Sequence, residues 1–202
     1  MMESGILFYW FSWILWIIAT FILEKNRLRT FMAGWILLSI TGTYVNLEII
    51  NQTFSLAFII LFGGSTVLLA RNEKLLYHTF SALTLTIGFA SFRIWEVLSP
   101  MLKFLPSGLL ITLLFSLLTC ILTRNYYSRL SVCILGMLTG EMIYQLTLSY
   151  YGFNEVIGEL FFFDHLLSTV LFITFLEVVY KVSNATVNWI RNFWARLRLQ
   201  NQ

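Results

Sequence analysis

The sequence predicts an all-α fold: a polytopic bundle of seven transmembrane helices, with the N-terminus outside, the C-terminus in the cytoplasm and an amphipathic helix closing the chain. Three observations carry that prediction. Of 202 residues, 58% are hydrophobic and 11% charged, where soluble domains carry roughly 25% charged residues. The apolar residues fall into seven runs, each close to the ~20 residues that cross a ~30 Å hydrocarbon core. The basic residues between the runs alternate in density, and that alternation sets orientation.

The runs lie near 5–23, 30–48, 54–70, 75–95, 107–123, 130–150 and 160–180. Their breaks are Glu24 to Arg29, Glu48 to Thr53, Arg71 to Lys74, Glu96 to Pro106, Arg124 to Arg129 and Tyr151 to Glu159. In hydrocarbon each backbone amide needs a partner within its own segment, so the runs read as helices and not strands. The first run follows Glu3 and ends in Glu24-Lys25-Asn26-Arg27 without a small-residue cleavage site. It therefore reads as a retained span and not a cleaved signal peptide.

Lys25, Arg27, Arg29, Arg71, Lys74, Arg124, Arg129, Lys181, Arg191, Arg196 and Arg198 fall on one side of this arrangement, and Arg93 and Lys103 on the other. The basic side is the cytoplasm. Trp10, Trp13, Trp16 and Trp95 read as headgroup-boundary residues. The net charge of +3 comes from short clusters between apolar runs, which does not imply a nucleic-acid partner.

Two units follow, a membrane domain over 1–180 and a cytoplasmic tail over 181–202. In the tail Val182, Thr186, Trp189, Ile190, Phe193 and Leu197 recur at spacings of three and four, Lys181, Arg191 and Arg198 fall outside that stripe, and Arg196 joins them as a membrane-surface residue. Such a helix lies on the inner leaflet, its basic residues attracted to anionic lipids.

No catalytic signature emerges. Gly63-Gly64-Ser65 invites a nucleophile reading, but His165 and His78 belong to opposite leaflets and supply no base at that depth. The same separation leaves the two histidines without a shared metal, and no other metal motif or cofactor site is expected. Gly136 and Gly140 form a GxxxG that lets a neighbouring helix approach closely, and Gly63 and Gly64 read as packing residues too. Cys120 and Cys133 read as small apolar residues within spans.

The most informative residues are polar and lie inside apolar runs: Arg93, Glu141, Tyr144, Gln145, Asp164 and His165. Arg93 lies roughly 12 Å outward of the middle of its run, counting 1.5 Å per residue. A charge at such depth is costly unless it faces a partner or water. Two accounts stay open. Arg93 pairs with Asp164 or Glu141 and holds the bundle together, or the six residues line an outward-facing polar cavity for a proton, ion or small solute. Glu177 and Lys181 stand four apart in the favourable order for a structural pair.

Phe8-Tyr9-Trp10-Phe11-Ser12-Trp13, Thr20-Phe21-Ile22-Leu23-Glu24-Lys25, the Phe92 to Pro100 stretch and Gly140-Glu141-Met142-Ile143-Tyr144 together resemble the YphA family, small uncharacterised membrane proteins of Bacillus and its relatives. The resemblance implies a bacterial plasma-membrane protein and carries no mechanism. Three functional classes remain: a non-enzymatic membrane component binding partner helices, a second copy or lipids; a small solute or ion transporter; and, third, an intramembrane enzyme.

Overall fold

A computed structural model describes residues 5–22, 27–49, 52–72, 74–99, 107–153 and 155–200, without the side chains of 22, 27, 28, 31, 32, 107 and 187–200. The expected breaks at Glu24-Lys25-Asn26 and at Pro100 to Pro106, with Lys103, lie outside the described residues.

Seven α-helices and one β-hairpin make up the described chain. They are α1 (Ile6–Ile17), prolonged by a π-helical turn at Ile18–Ile22, α2 (Arg27–Gly42), β1 (Asn46–Ile49), β2 (Gln52–Ser55), α3 (Leu56–Ala70), α4 (Leu75–Leu98), α5 (Ser107–Leu122), α6 (Tyr126–Tyr150) and α7 (Leu160–Gln200). Three stretches, Leu75–Leu98, Tyr126–Tyr150 and Leu160–Thr186, are long and apolar enough to cross a membrane. The apolar helices Ile6–Phe21, Ala33–Gly42, Leu56–Ala70 and Gly108–Leu122 are shorter.

One expectation fails. The run over 30–48 is not helical to its end: α2 stops at Gly42, and β1 pairs antiparallel with β2, Asn46 opposite Ser55 and Ile49 opposite Gln52. Thr43, Tyr44, Val45, Ile49 and Ile50 are β-branched or aromatic, types that favour strands, and β1 is exposed throughout. The backbone is satisfied between segments. Leu56 N–H donates to Val45 O at 2.8 Å, Ser55 N–H to Ile157 O at 3.0 Å and Ile157 N–H to Thr53 O at 2.8 Å. The hairpin is thus tied to the connection between α6 and α7.

At the other end of α6 and α7 the ties are side chains. Asn72 bonds Ser128 (3.0 Å) and Ser131 (3.2 Å), Tyr77 donates to Leu122 O (2.7 Å), and Tyr126 meets Thr174 (3.1 Å). Arg129 bridges Thr123 O at 2.9 Å and Glu177 at 3.1 Å, and Lys181 approaches the same carboxylate at 3.6 Å. α7 passes Lys181 without a break, so helix continues from the apolar run to Gln200. Trp189, Arg191, Phe193, Arg196 and Arg198 carry side chains outside the described residues.

α6 is the central helix, with 61% of its apolar window buried against 39% for α4 and 33% for α7. It packs on α3, α4, α5 and α7. The closest approach is to α4. A Cβ on Gly136 would lie 2.6 Å from Leu85 Cβ, and one on Gly140 2.9 Å from Phe89 Cβ and 3.0 Å from Thr86 O. Thr86 also bonds Thr139 and, at 3.3 Å, Gly136 O. Phe89 then meets Phe115 of α5 and Phe162 of α7, with ring centroids 5.3 and 5.9 Å apart. Gly64 faces the Trp35 ring of α2, whereas nothing lies within 4 Å of a Cβ on Gly63.

Replacing Gly136 or Gly140 by Leu forces α4 away from α6. The expected cost is about 1–3 kcal/mol, a fall of roughly 2–12 °C in the unfolding midpoint at this chain length, read by thermal denaturation in mild detergent. Gly63→Leu, facing open space, leaves the midpoint near that of the wild type.

Candidate functional site

The polar residues inside the apolar runs separate into two groups. The first is built on α4 and α6. Glu141 follows Gly140 directly, so the close approach of the helices brings its carboxylate beneath the α4 face that carries Arg93. Arg93 Nη1 donates to Glu96 Oε2 at 2.8 Å, while its Nε lies 3.9 Å from Glu141 Oε2. The guanidinium lies over the Tyr144 ring at 4.7 Å and the Phe161 ring at 5.5 Å, distances at which the aromatic faces attract a cation. One turn along α6, Gln145 Nε2 donates to Glu141 Oε1 at 3.0 Å. Glu141 is 1% exposed and Gln145 3%.

Asp164 belongs to a different group. Its Oδ2 accepts from Gly5 N–H at 2.7 Å and its Oδ1 from Phe8 N–H at 2.6 Å. It therefore caps α1 from across the bundle, where α1 has no cap of its own. A carboxylate there meets two otherwise unpaired donors and the positive end of the helix dipole. Gly5 adopts φ +95° and lies where a Cβ would come 2.9 Å from Leu160 Cβ, which suits glycine alone. His165, the next residue, points elsewhere. Its ring stands edge-on to Phe161 at 4.3 Å and abuts Gly108 of α5, where a Cβ would lie 3.3 Å from Nδ1. Phe161 thus touches both the His165 ring and the Arg93 guanidinium.

Three buried atoms have no hydrogen-bond partner here: Glu141 Oε2, Gln145 Oε1 and His165 Nε2. In the connection ahead of α7, partial enclosure and then the charge of Glu155 raise the Glu159 carboxyl above its ordinary value, against an opposing pull from Arg93. Ser65 is committed to Phe62 O at 3.0 Å, and His78 is buried at the end of α4 remote from Arg93.

The model of the family described as YphA-like integral membrane protein matches residues 4–198. The chain belongs to that family. It is therefore an integral membrane protein. The uncharacterised protein YphA of Bacillus subtilis (strain 168) is 25% identical over 142 residues, 68% of this chain and 69% of that protein. No solved structure matches the chain. The YphA-like family thus supplies the environment, and the chemistry must come from the geometry.

Sequence reasoning placed Arg93 against Asp164 or Glu141. The structure brings Glu141 and Tyr144 to Arg93, ties Gln145 to Glu141 and gives Asp164 to α1. It missed Glu96 as the nearest carboxylate, although the i, i+3 spacing signals such a pair. It also missed Phe161, which no spacing rule singles out.

Asp164→Ala leaves two N–H groups of α1 without their acceptor, at an expected cost of about 1–3 kcal/mol. Asp164→Asn, with one acceptor oxygen, falls between. Thermal unfolding and hydrogen exchange at residues 5–9 check both, and unchanged exchange would remove the cap. In double-mutant cycles, Arg93 and Glu96 are expected to couple by more than about 0.5 kcal/mol, and Arg93 and Glu141 by less. The reverse order would make Glu141 the counter-ion.

Proposed function

We propose that this chain is a seven-span, multi-pass protein of the bacterial plasma membrane, N-terminus outside, that acts without enzymatic chemistry by binding lipids or partner helices. The observation that carries this reading is the closure of the intramembrane polar residues on one another. Arg93 is enclosed by Glu96, Glu141, Tyr144 and Phe161, and Asp164 by the backbone of α1. Much of what faces outward is apolar. Leu109, Leu113, Leu117 and Ile121 make an exposed stripe four residues apart on α5. A groove of about 290 Å³ between α1 and α2, lined by Trp16, Thr20, Ala33, Gly34 and Leu37, has Arg29 and Thr30 at one end. That combination suits an acyl chain with an anionic headgroup.

The seven-span plan draws support from the two ends of the bundle. One end gathers the hairpin and the α6–α7 connection; the other gathers Arg71, Lys74, Arg124, Arg129 and Lys181, which the cytoplasmic side favours. α7, at 41 residues, is about 60 Å long, twice a hydrocarbon core. Its last turns therefore extend past the membrane as the tail, residues 181–202, where the basic residues meet anionic lipid.

A second reading, handling of a proton or small ion, is favoured by the buried acceptors of Glu141 and Gln145 that have no donor. Flux measurements in proteoliposomes separate the two. The first reading expects no proton or cation flux above protein-free vesicles, with anionic phospholipid retained on purification and lost on Arg29→Ala. Flux abolished by Glu141→Ala would install the second reading.

For topology, cysteines at positions 51, 103 and 154 are expected to react with an impermeant thiol reagent from outside, and cysteines at 72, 125 and 202 only after permeabilisation. One position on the wrong side breaks the seven-span plan.

A further inference from the structure

We propose that Glu141 is a proton-binding site: its carboxyl is held as the neutral acid in a reciprocal pair with the Gln145 amide, and Arg93 serves Glu96. The geometry starts from one bond already made, Gln145 Nε2 to Glu141 Oε1 at 3.0 Å. The two atoms left over on the same two groups are Glu141 Oε2 and Gln145 Oε1, both buried and both without a hydrogen-bond partner. Both are acceptors, so neither can satisfy the other, and no rotation of the pair supplies a donor. A proton on Oε2 does. Oε2–H then donates to Gln145 Oε1, and the acid and the amide close a ring of two hydrogen bonds.

Charge balance leads to the same place. Arg93 brings one positive charge to this cluster, and it already makes a 2.8 Å bond to Glu96. Its Nε stays at 3.9 Å from Glu141 Oε2, beyond hydrogen-bond length. An ionised Glu141 would leave one unbalanced negative charge in a site 1% exposed, where a buried charge without a close partner is costly. Among the described residues, the other groups around it add no cation. Tyr144 lies beside it on α6, Glu155 and Glu159 act on it from the α6–α7 connection, and the His165 ring of α7 packs edge-on against Phe161. Protonation makes the trio of Arg93, Glu96 and Glu141 neutral.

Release follows from the same parts. When the guanidinium turns between Tyr144 and Phe161 from Glu96 towards Glu141, Glu141 gives up its proton through water to Glu96. One carboxylic acid and one carboxylate exchange places, and Arg93 stays cationic. Glu96, near the end of α4 and 17% exposed in its side chain, is the port to the outside. The site binds a proton whether or not that proton crosses the membrane, so its test stands apart from the flux measurement.

Infrared difference spectra of the full chain in lipid nanodiscs decide it. At pH 7 the wild type minus Glu141→Gln difference is expected to contain the carbonyl stretch of a protonated carboxylic acid. Glu96→Gln frees Arg93 to turn to Glu141, and the band is expected to vanish. Glu141→Gln copies the neutral acid, its own N–H donating to Gln145 Oε1, and should keep the wild-type unfolding midpoint within about 2 °C. A wild type showing only carboxylate bands at Glu141 overturns the proposal, and so does a Glu141→Gln chain that loses its fold. A band that persists in Glu96→Gln overturns the part given to Arg93.

Discussion

The approach of α4 to α6 over Gly136 and Gly140 is the contact on which the rest of this molecule depends. Without side chains at those positions, Leu85 and Phe89 of α4 come down onto the α6 backbone. Phe89 then joins the rings of Phe115 and Phe162, which draws α5 and α7 around the same point. In lipid, helices gain little from expelling water, and such close apposition supplies the packing that replaces it. The placement has an electrostatic consequence. Because Glu141 follows Gly140 and Arg93 comes one turn after Phe89, one close approach sets both the apolar core and the depth of the charged cluster.

The two ends of the bundle are fastened by different chemistry. At the hairpin end backbone ties, from Val45 to Leu56 and from Ile157 to Ser55 and Thr53, are joined by a side-chain tie from Gln52 to Ser149. At the opposite end they run through Asn72, Ser128, Ser131, Arg129 and Glu177. Side-chain ties tune by substitution, whereas backbone ties survive any replacement that keeps the fold.

Much of this was legible in the sequence, because an apolar run of twenty residues has few alternatives as a structure. Each run holds one helix, although α2 stops at Gly42 and α7 runs on to Gln200. Gln145 to Glu141 and Lys181 to Glu177 could be read from a spacing of four. The hairpin could not, since Val45, Leu47, Ile49 and Ile50 are as apolar as the helix before them, and a short apolar stretch does not declare its period. The cap on α1 was illegible for another reason. Asp164 answers to the N–H groups of Gly5 and Phe8, and main-chain donors leave no trace in residue identity. Between Asp164 and Glu141 as partners across the bundle for Arg93, only packing distances could choose.

The Asp164 cap also puts an order on assembly. Gly5 and Asp164 stand 159 residues apart, and ribosomes add about 5–20 residues per second. The opening helix therefore spends on the order of ten to thirty seconds in the cell before its fastening exists. Over that interval its first turn must borrow partners from headgroups, water or the insertion machinery. The chain is closed by its last helix reaching back to its first, and a nascent chain halted before Asp164 leaves its leading end untied.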